Sequence, residues 1–312
     1  VGLALGSGAA RGWAHIGVIR ALKERGHEPA WVAGASMGAF VAAAYAMGRL
    51  ERLEAFARRL DTRSVLAYLD LAMPVRGLLE GERVLTLFRD LLGTGNLEDA
   101  RLPVCLIATD LGTGEEVRLT RGPVAEAVRA SIAVPGIFAP AVAEGRYLVD
   151  GGLVNPVPVD AARALGATRV VAVDLNYGPL ECDWCGPAET AHSVPAPGAR
   201  EAVQALTLAA REEMRPPDLL RRLGQRYREL EVQLKERALT RIVRSARPNI
   251  FDVIGNSISI VSQMITREKL EEAKPEVVVR PRVGRLNLWD FSEADAAIDE
   301  GYKATCEALD RA

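Results

Sequence analysis

Histidine is scarce in this chain. Three of its 312 residues are histidine, at positions 15, 27 and 192. Any histidine base would have to be His15, His27 or His192, and no motif surrounds any of them. Cysteine is scarce too, with only Cys105, Cys182, Cys185 and Cys306. That count excludes a disulfide-rich secreted scaffold and predicts a reducing, cytoplasmic compartment. Cys105 lies in an apolar run and reads as a small buried hydrophobe. Charge of one sign is lacking: the net charge is -2, so no basic imbalance steers the molecule toward nucleic acid. Long hydrophobic runs are absent. The longest, Ala39 to Met47, is too short to span a bilayer. No secretory leader is visible ahead of the strand-like Val1-Gly2-Leu3-Ala4-Leu5, in a chain that does not begin with Met.

What is present is a large apolar fraction, 49%, in a chain long enough for one large core or two smaller ones. Strand-like and helix-like runs alternate. Val1–Leu5 reads as a buried strand and Gly12–Arg25 as a helix, with Ile16, Ile19 and Leu22 at helical spacing. Further strands are expected at Ala30–Ala33, Pro103–Ala108, Glu115–Leu119, Arg146–Val149, Arg169–Leu175 and Glu276–Val279. Helices are expected at Met37–Met47, Val124–Ser131, Val157–Leu165, Ile250–Glu272, an amphipathic one, and Ser292–Leu309. The alternation predicts a mostly parallel sheet with helices on both faces, and sites at the carboxyl ends of its strands.

Gly34-Ala35-Ser36-Met37-Gly38 follows a strand and opens an Ala-rich helix. This G-x-S-x-G pattern is that of a nucleophile elbow, in which a serine sits at the tip of a strained turn and flanking glycines let it close. Ser36 could equally be an ordinary N-cap of a small-residue helix. Gly6-Ser7-Gly8-Ala9-Ala10-Arg11-Gly12 makes an earlier strand-to-helix turn, where free N–H groups suit a phosphate or an oxyanion. A dinucleotide fingerprint needs a third Gly where Arg11 stands, and an acidic residue after the second strand, where the serine elbow comes instead. Asp150, in Leu148-Val149-Asp150-Gly151-Gly152, ends a strand and is either a proton acceptor or a simple turn aspartate. A Ser…Asp…His triad could use His192 with Asp150 or Asp174.

Taken together, Gly6–Val18, Gly34–Gly38 and Val149–Pro158 resemble the patatin-like phospholipase family in content and order. Ser131-Ile132-Ala133-Val134-Pro135-Gly136 is similar to the family's segment upstream of its aspartate. The resemblance covers Val1 to Asn176 strongly and Pro248 to Asp290 more weakly, in the manner of bacterial single-domain members. It implies a three-layer α/β/α fold with a mostly parallel central sheet, spanning residues 1–312, with a loop-rich and basic helical insertion at about 178–247. It also implies a lipid acyl-ester hydrolase with a Ser–Asp dyad. Ser36 would be the nucleophile and Asp150 the proton acceptor. Gly8 and Ala9 would supply oxyanion-hole N–H groups, Arg11 and Gly12 would support their loop, and Gly34, Gly38, Gly151 and Gly152 would let the turns close. Plant-type members have consecutive glycines in the loop, which Ser7 and Ala9 interrupt here. Ala9 still donates an N–H unless its position needs a positive φ. The usual pKa of an aspartate, about 3.9, makes it a weak base, so burial or hydrogen bonding should tune it.

The resemblance implies a lipid ester or phospholipid substrate, peripheral contact with a membrane, and neither metal nor organic cofactor. Self-association is compatible with it. An alternative is a catalytically weak lipid- or protein-binding regulatory module on the same fold. Cys182 and Cys185, in Cys182-Asp183-Trp184-Cys185, read as two surface or semi-buried thiols; the alternatives are a labile disulfide or, with His192, half a zinc site, without a second pair nearby. Arg211–Arg247 carries eleven Lys/Arg against six Asp/Glu. It reads as a solvated helix face, or as an interfacial element on anionic headgroups. Asp110 and Asp174 end strand-like runs and read as loop-fixing carboxylates.

Overall fold

Strand positions that alternate in side-chain size build the centre of the molecule. In the computed structural model, residues 1–60, 81–178 and 250–311 are described. Strands β1 (Gly2–Leu5), β2 (Trp31–Ala35), β3 (Val104–Asp110) and β7 (Val170–Val173) are almost wholly buried. Successive side chains on a strand point to opposite faces. Leu3, Leu5, Val32, Leu106 and Val173 therefore join one core, and Ala4, Ala33, Ala35, Cys105 and Ala172 the other.

The bulky face packs against α1 (Ala14–Glu24), α2 (Met37–Ala46) and α8 (Ala294–Leu309), through residues such as Ile16, Phe40 and Ile298. The small-residue face meets α6 (Val159–Ala164) and Leu270 of α7 (Ile250–Ala273). The result is three layers, with a sheet between helices. Helices α3 (Leu50–Ala57), α4 (Glu82–Leu92) and α5 (Val124–Ser131) complete the described set. All described residues belong to one compact unit drawn from both ends of the chain.

Eight strands form one sheet, including β4 (Glu116–Leu119), β5 (Ala141–Ala143), β6 (Arg146–Asp150) and β8 (Val277–Val279). Hydrogen-bonded neighbours run β5-β6-β3-β2-β1-β7-β8, with β4 on β3. The pairs β2–β1, β1–β7, β7–β8 and β2–β3 are parallel. Pairs β3–β4, β3–β6 and β5–β6 are antiparallel. The expected mostly parallel sheet is present. The antiparallel end was not signalled, because β5 is only three residues long.

Helix α7 departs from the expected amphipathic pattern. Its buried positions are Gly255, Ser259, Ser262, Thr266 and Leu270, while Val253, Ile260, Val261 and Met264 are exposed. Small and hydroxyl side chains face inward because the helix approaches backbone there: Ser262 Oγ donates to the Gly152 carbonyl at 3.1 Å. The expected insertion, with Cys182, Cys185, His192 and the basic stretch Arg211–Arg247, lies outside the described residues.

The last helix closes on the first through glycine. A methyl group on Gly17 would lie 1.9 Å from the Ile298 carbonyl oxygen, and one on Gly301 would lie 2.0 Å from that of Ala14. Backbone cannot yield as a flexible side chain can, so α1 and α8 would have to separate. Gly301→Ala is expected to cost about 3 kcal/mol, the upper range for overpacking. The check is a lowered urea midpoint at unchanged slope.

Candidate active site

The site follows from how β3 shares its edges. A strand has two hydrogen-bonding edges, and β4 occupies one along Leu106–Thr109. The other is divided: β2 pairs over Val104–Ile107 and β6 over Ala108–Asp110. Because β2 runs parallel to β3 and β6 antiparallel, their carboxyl ends meet head-on. Ala35 faces Ile107 and Asp150 faces Ala108, adjacent register positions. The next residue after β2 is Ser36, and its Oγ donates to Asp150 Oδ2 at 2.6 Å.

Ser36 has φ 55° and ψ -124°, in the left-handed half of backbone space where a non-glycine residue is strained. Its side chain makes no cap to α2, so the N-cap alternative fails. The elbow is held from below. Ser36 N donates to Ser131 Oγ at 3.0 Å, and Ser131 Oγ donates onward to the Ile107 carbonyl. The flanking glycines are steric necessities. A Cβ on Gly34 would lie 2.4 Å from the Gly38 oxygen, and one on Gly38 would lie 2.2 Å from the Leu5 oxygen.

Asp150 is buried. Gly152 N donates to its Oδ1 at 2.8 Å, while Ser36 occupies Oδ2. Burial raises the carboxyl from its usual 3.8 to about 6, and the bonds from Ser36 and Gly152 oppose the rise. Gly151 leaves room for the Ile107 carbonyl, and Gly152 packs against Ser7. These contacts bring the Gly-rich turn beside the aspartate.

In that turn most peptide groups are tied. Gly6 N donates to Val173 O at 3.1 Å, Ser7 N to Pro156 O at 2.8 Å, Ala10 N to Leu288 O at 3.0 Å and Arg11 N to Gly8 O at 3.1 Å. The N–H groups of Gly8 and Ala9 donate to no backbone carbonyl among the described residues. Ala9 does have a positive φ, 48°. The alanine thus accepts a conformation that costs on the order of 1 kcal/mol relative to glycine, and keeps its N–H. Arg11 is buried and crosses to the far end of the chain, where Nε donates to Leu286 O at 2.9 Å and Nη2 to Gly284 O at 2.7 Å. Gly12 lies against Met37.

Residues 3–163 match the family model described as Patatin-like phospholipase. The chain belongs to this family. It is 45% identical over 176 residues to an uncharacterized NTE family protein of Mycobacterium tuberculosis, covering 56% of this chain and 49% of that protein. To the neuropathy target esterase of Drosophila melanogaster it is 31% identical over 200 residues, 59% of this chain and 14% of the relative. To human patatin-like phospholipase domain-containing protein 6 it is 35% identical over 185 residues, 56% and 13% respectively. The match thus spans about half or less of these curated relatives. The solved structure of VipD from Legionella pneumophila aligns with a TM-score of 0.46 and 17% identity, over 99% of this chain and 66% of that one.

Among the described residues, none of the other candidate groups of this patatin-like chain hydrogen-bonds to Ser36. His15 is fully buried, and its Nε2 must carry the proton, because it contacts the Gly6 carbonyl at 2.7 Å and a carbonyl only accepts. Burial lowers its pKa to about 4, against the effect of that bond, so the ring is neutral. His27 is exposed beyond the end of α1. Asp110 Oδ1 accepts from the Gly112 and Thr113 amides, and Asp174 Oδ1 from that of Asn176; both fix loops. Cys105 is buried, which pushes its thiol up to about 12 and makes it inert. Among the described residues no group of three or more His, Cys, Asp or Glu could hold a metal ion, and no helix is long and apolar enough to cross a membrane.

Sequence reasoning gave Ser131 no role of its own, since a buried serine linking a strand to a turn has no spacing signature. Ser131→Ala is expected to destabilise the fold by about 1–3 kcal/mol, because it leaves the buried Ser36 N–H without its partner. A urea midpoint equal to wild type would contradict this.

Asp150 also makes stability depend on pH. Below about pH 4 its carboxyl is protonated in both the folded and unfolded chains. As pH rises the unfolded chain ionises first, so the buried group disfavours the folded state progressively until about pH 6. Asp150→Asn should therefore gain stability over wild type across that window, by on the order of 2–3 kcal/mol. Denaturant titrations of both proteins at pH 4 and pH 8 measure the change.

Proposed function

We propose that this chain hydrolyses lipid acyl esters with a histidine-free dyad, Ser36 as nucleophile and Asp150 as base. The observation that carries the reading is the 2.6 Å bond between Ser36 Oγ and Asp150 Oδ2, with the carboxyl titrating near 6. A general base works best when its pKa lies near the working pH. Family membership and the esterase and phospholipase names of its relatives support a lipid ester as substrate.

In the proposed reaction Ser36 Oγ attacks the ester carbonyl carbon as Asp150 takes its proton. The carbonyl oxygen becomes an oxyanion, met by the N–H groups of Gly8 and Ala9. The tetrahedral intermediate expels the alcohol, which leaves with the proton from Asp150. Water then gives a proton to Asp150 and attacks the acyl-enzyme, and Ser36 recovers its proton as the fatty acid departs. Neither metal nor organic cofactor enters the scheme. The glycines on both sides of Ser36 let the turn close, and the Gly152 N–H holds Asp150 Oδ1 while Oδ2 accepts from Ser36.

Turnover of nitrophenyl esters is the test. Ser36→Ala should lose at least about 10⁴-fold, as nucleophile deletions do in serine hydrolases, and Asp150→Asn should fall comparably. His192→Ala should retain activity, whereas loss there with a fully active Asp150→Asn would favour a triad. For wild type, kcat/KM should rise with pH to a plateau, with a midpoint near the Asp150 value of about 6, because only the ionised carboxylate accepts the proton. A protein that binds lipid vesicles but turns over no ester would be the regulatory module instead.

A further inference from the structure

Each oxyanion donor in the proposed reaction shares a peptide unit with a carbonyl that is itself held. Among the described residues no peptide bond is cis, and in a trans peptide the C=O and N–H point in opposite directions. Fixing the carbonyl therefore aims the N–H. The Gly8–Ala9 peptide is fixed locally, because the Gly8 carbonyl accepts from Arg11 N at 3.1 Å as the turn enters its short 3₁₀ helix.

The Ser7–Gly8 peptide is fixed from far away. The Ser7 carbonyl accepts from Asn176 Nδ2 at 3.2 Å, and the same nitrogen reaches Ser7 Oγ at 3.2 Å. Asn176 follows the end of β7 and is 4% exposed. Its own backbone is braced: Asn176 N donates to Asp174 Oδ1 at 3.1 Å. Arg280 lies 3.6 Å from Asp174 Oδ2 and covers the Tyr177 ring at 4.4 Å. On the other side of Ser7, the Gly6 carbonyl is engaged by His15, and Ser7 N by the Pro156 carbonyl. Gly8 has no side chain to resist rotation of the peptide before it.

We propose that Asn176 is a positioning residue for ester hydrolysis: by donating to the Ser7 carbonyl it keeps the Gly8 N–H turned toward the developing oxyanion. The inference rests on the hydrolase reading above. Residue type matters here. An amide nitrogen attracts the carbonyl, whereas a carboxylate of the same shape would place an acceptor against it and drive the peptide to turn over.

Asn176→Asp is the direct test, assayed beside wild type with a nitrophenyl ester and with a trifluoromethyl ketone inhibitor. The ground-state ester makes little use of the oxyanion donors, so KM should stay near wild type while kcat falls about 10²-fold, the loss typical of one missing donor. Inhibitor affinity should fall in step with kcat/KM, because its tetrahedral adduct carries the same oxyanion. A purely structural role would not couple the two. An unchanged kcat in a folded variant, or a loss confined to KM, would overturn the proposal. If Asn176→Asp does not fold, a crystal structure of wild type phosphonylated at Ser36 decides. A phosphonyl oxygen on Gly8 N with Asn176 Nδ2 still on Ser7 O supports it, and a Gly8 N–H turned away overturns it. Absence of Ser36-dependent turnover in wild type would instead defeat the hydrolase reading itself.

Discussion

The site depends on one buried hydrogen bond, Ser36 Oγ to Asp150 Oδ2, and on the sheet geometry that makes it unavoidable. Two strands of opposite direction end head-on along one edge of β3, at adjacent residues Ile107 and Ala108. The chain leaves β2 through the strained Ser36 and leaves β6 through Gly151 and Gly152. A shift of either strand by one residue would turn its side chains to the other face of the sheet and separate the pair. The register of the sheet and the contact between Ser36 and Asp150 are thus a single constraint.

Burial gives the pair its character. Burial of Asp150 raises its pKa, and among the described residues the carboxylate is compensated only by the Ser36 hydroxyl and the Gly152 N–H. The same burial that would tune a weak carboxylate into a base disfavours the folded state when the group is ionised. Strain at Ser36 and Ala9 adds to this cost. The surrounding structure offsets it with large apolar layers on both faces, with the Ser131 bridge, and with Arg11, which ties the turn to residues 284–286.

Much of this was legible in the sequence, for physical reasons. Parallel strands buried on both faces read as short apolar runs, so β1, β2, β3 and β7 stood out to within two residues at either end. Glycines at 34 and 38 marked a turn where backbones nearly touch, and Gly151-Gly152 marked another. What stayed hidden depends on contacts between distant segments. Strand β5 is too short to show alternation. Helix α7 buries serines and a threonine because it lies against the backbone at Gly152, which no periodicity reveals. The link from Asn176 to Ser7 joins positions 169 residues apart. The positive φ of Ala9 was posed by the sequence as a condition, and the backbone meets it by accepting strain rather than by using glycine.

The central claim is that Asp150 alone activates Ser36. The pH dependence of Ser36 phosphonylation by a fluorophosphonate tests it directly, without requiring the natural substrate. The second-order rate should climb through a single ionisation near pH 6 and then level off, and Asp150→Asn should label far more slowly at every pH. A rate in the Asp150→Asn variant that matches wild type, with the same ionisation still present, would show that another group takes the proton.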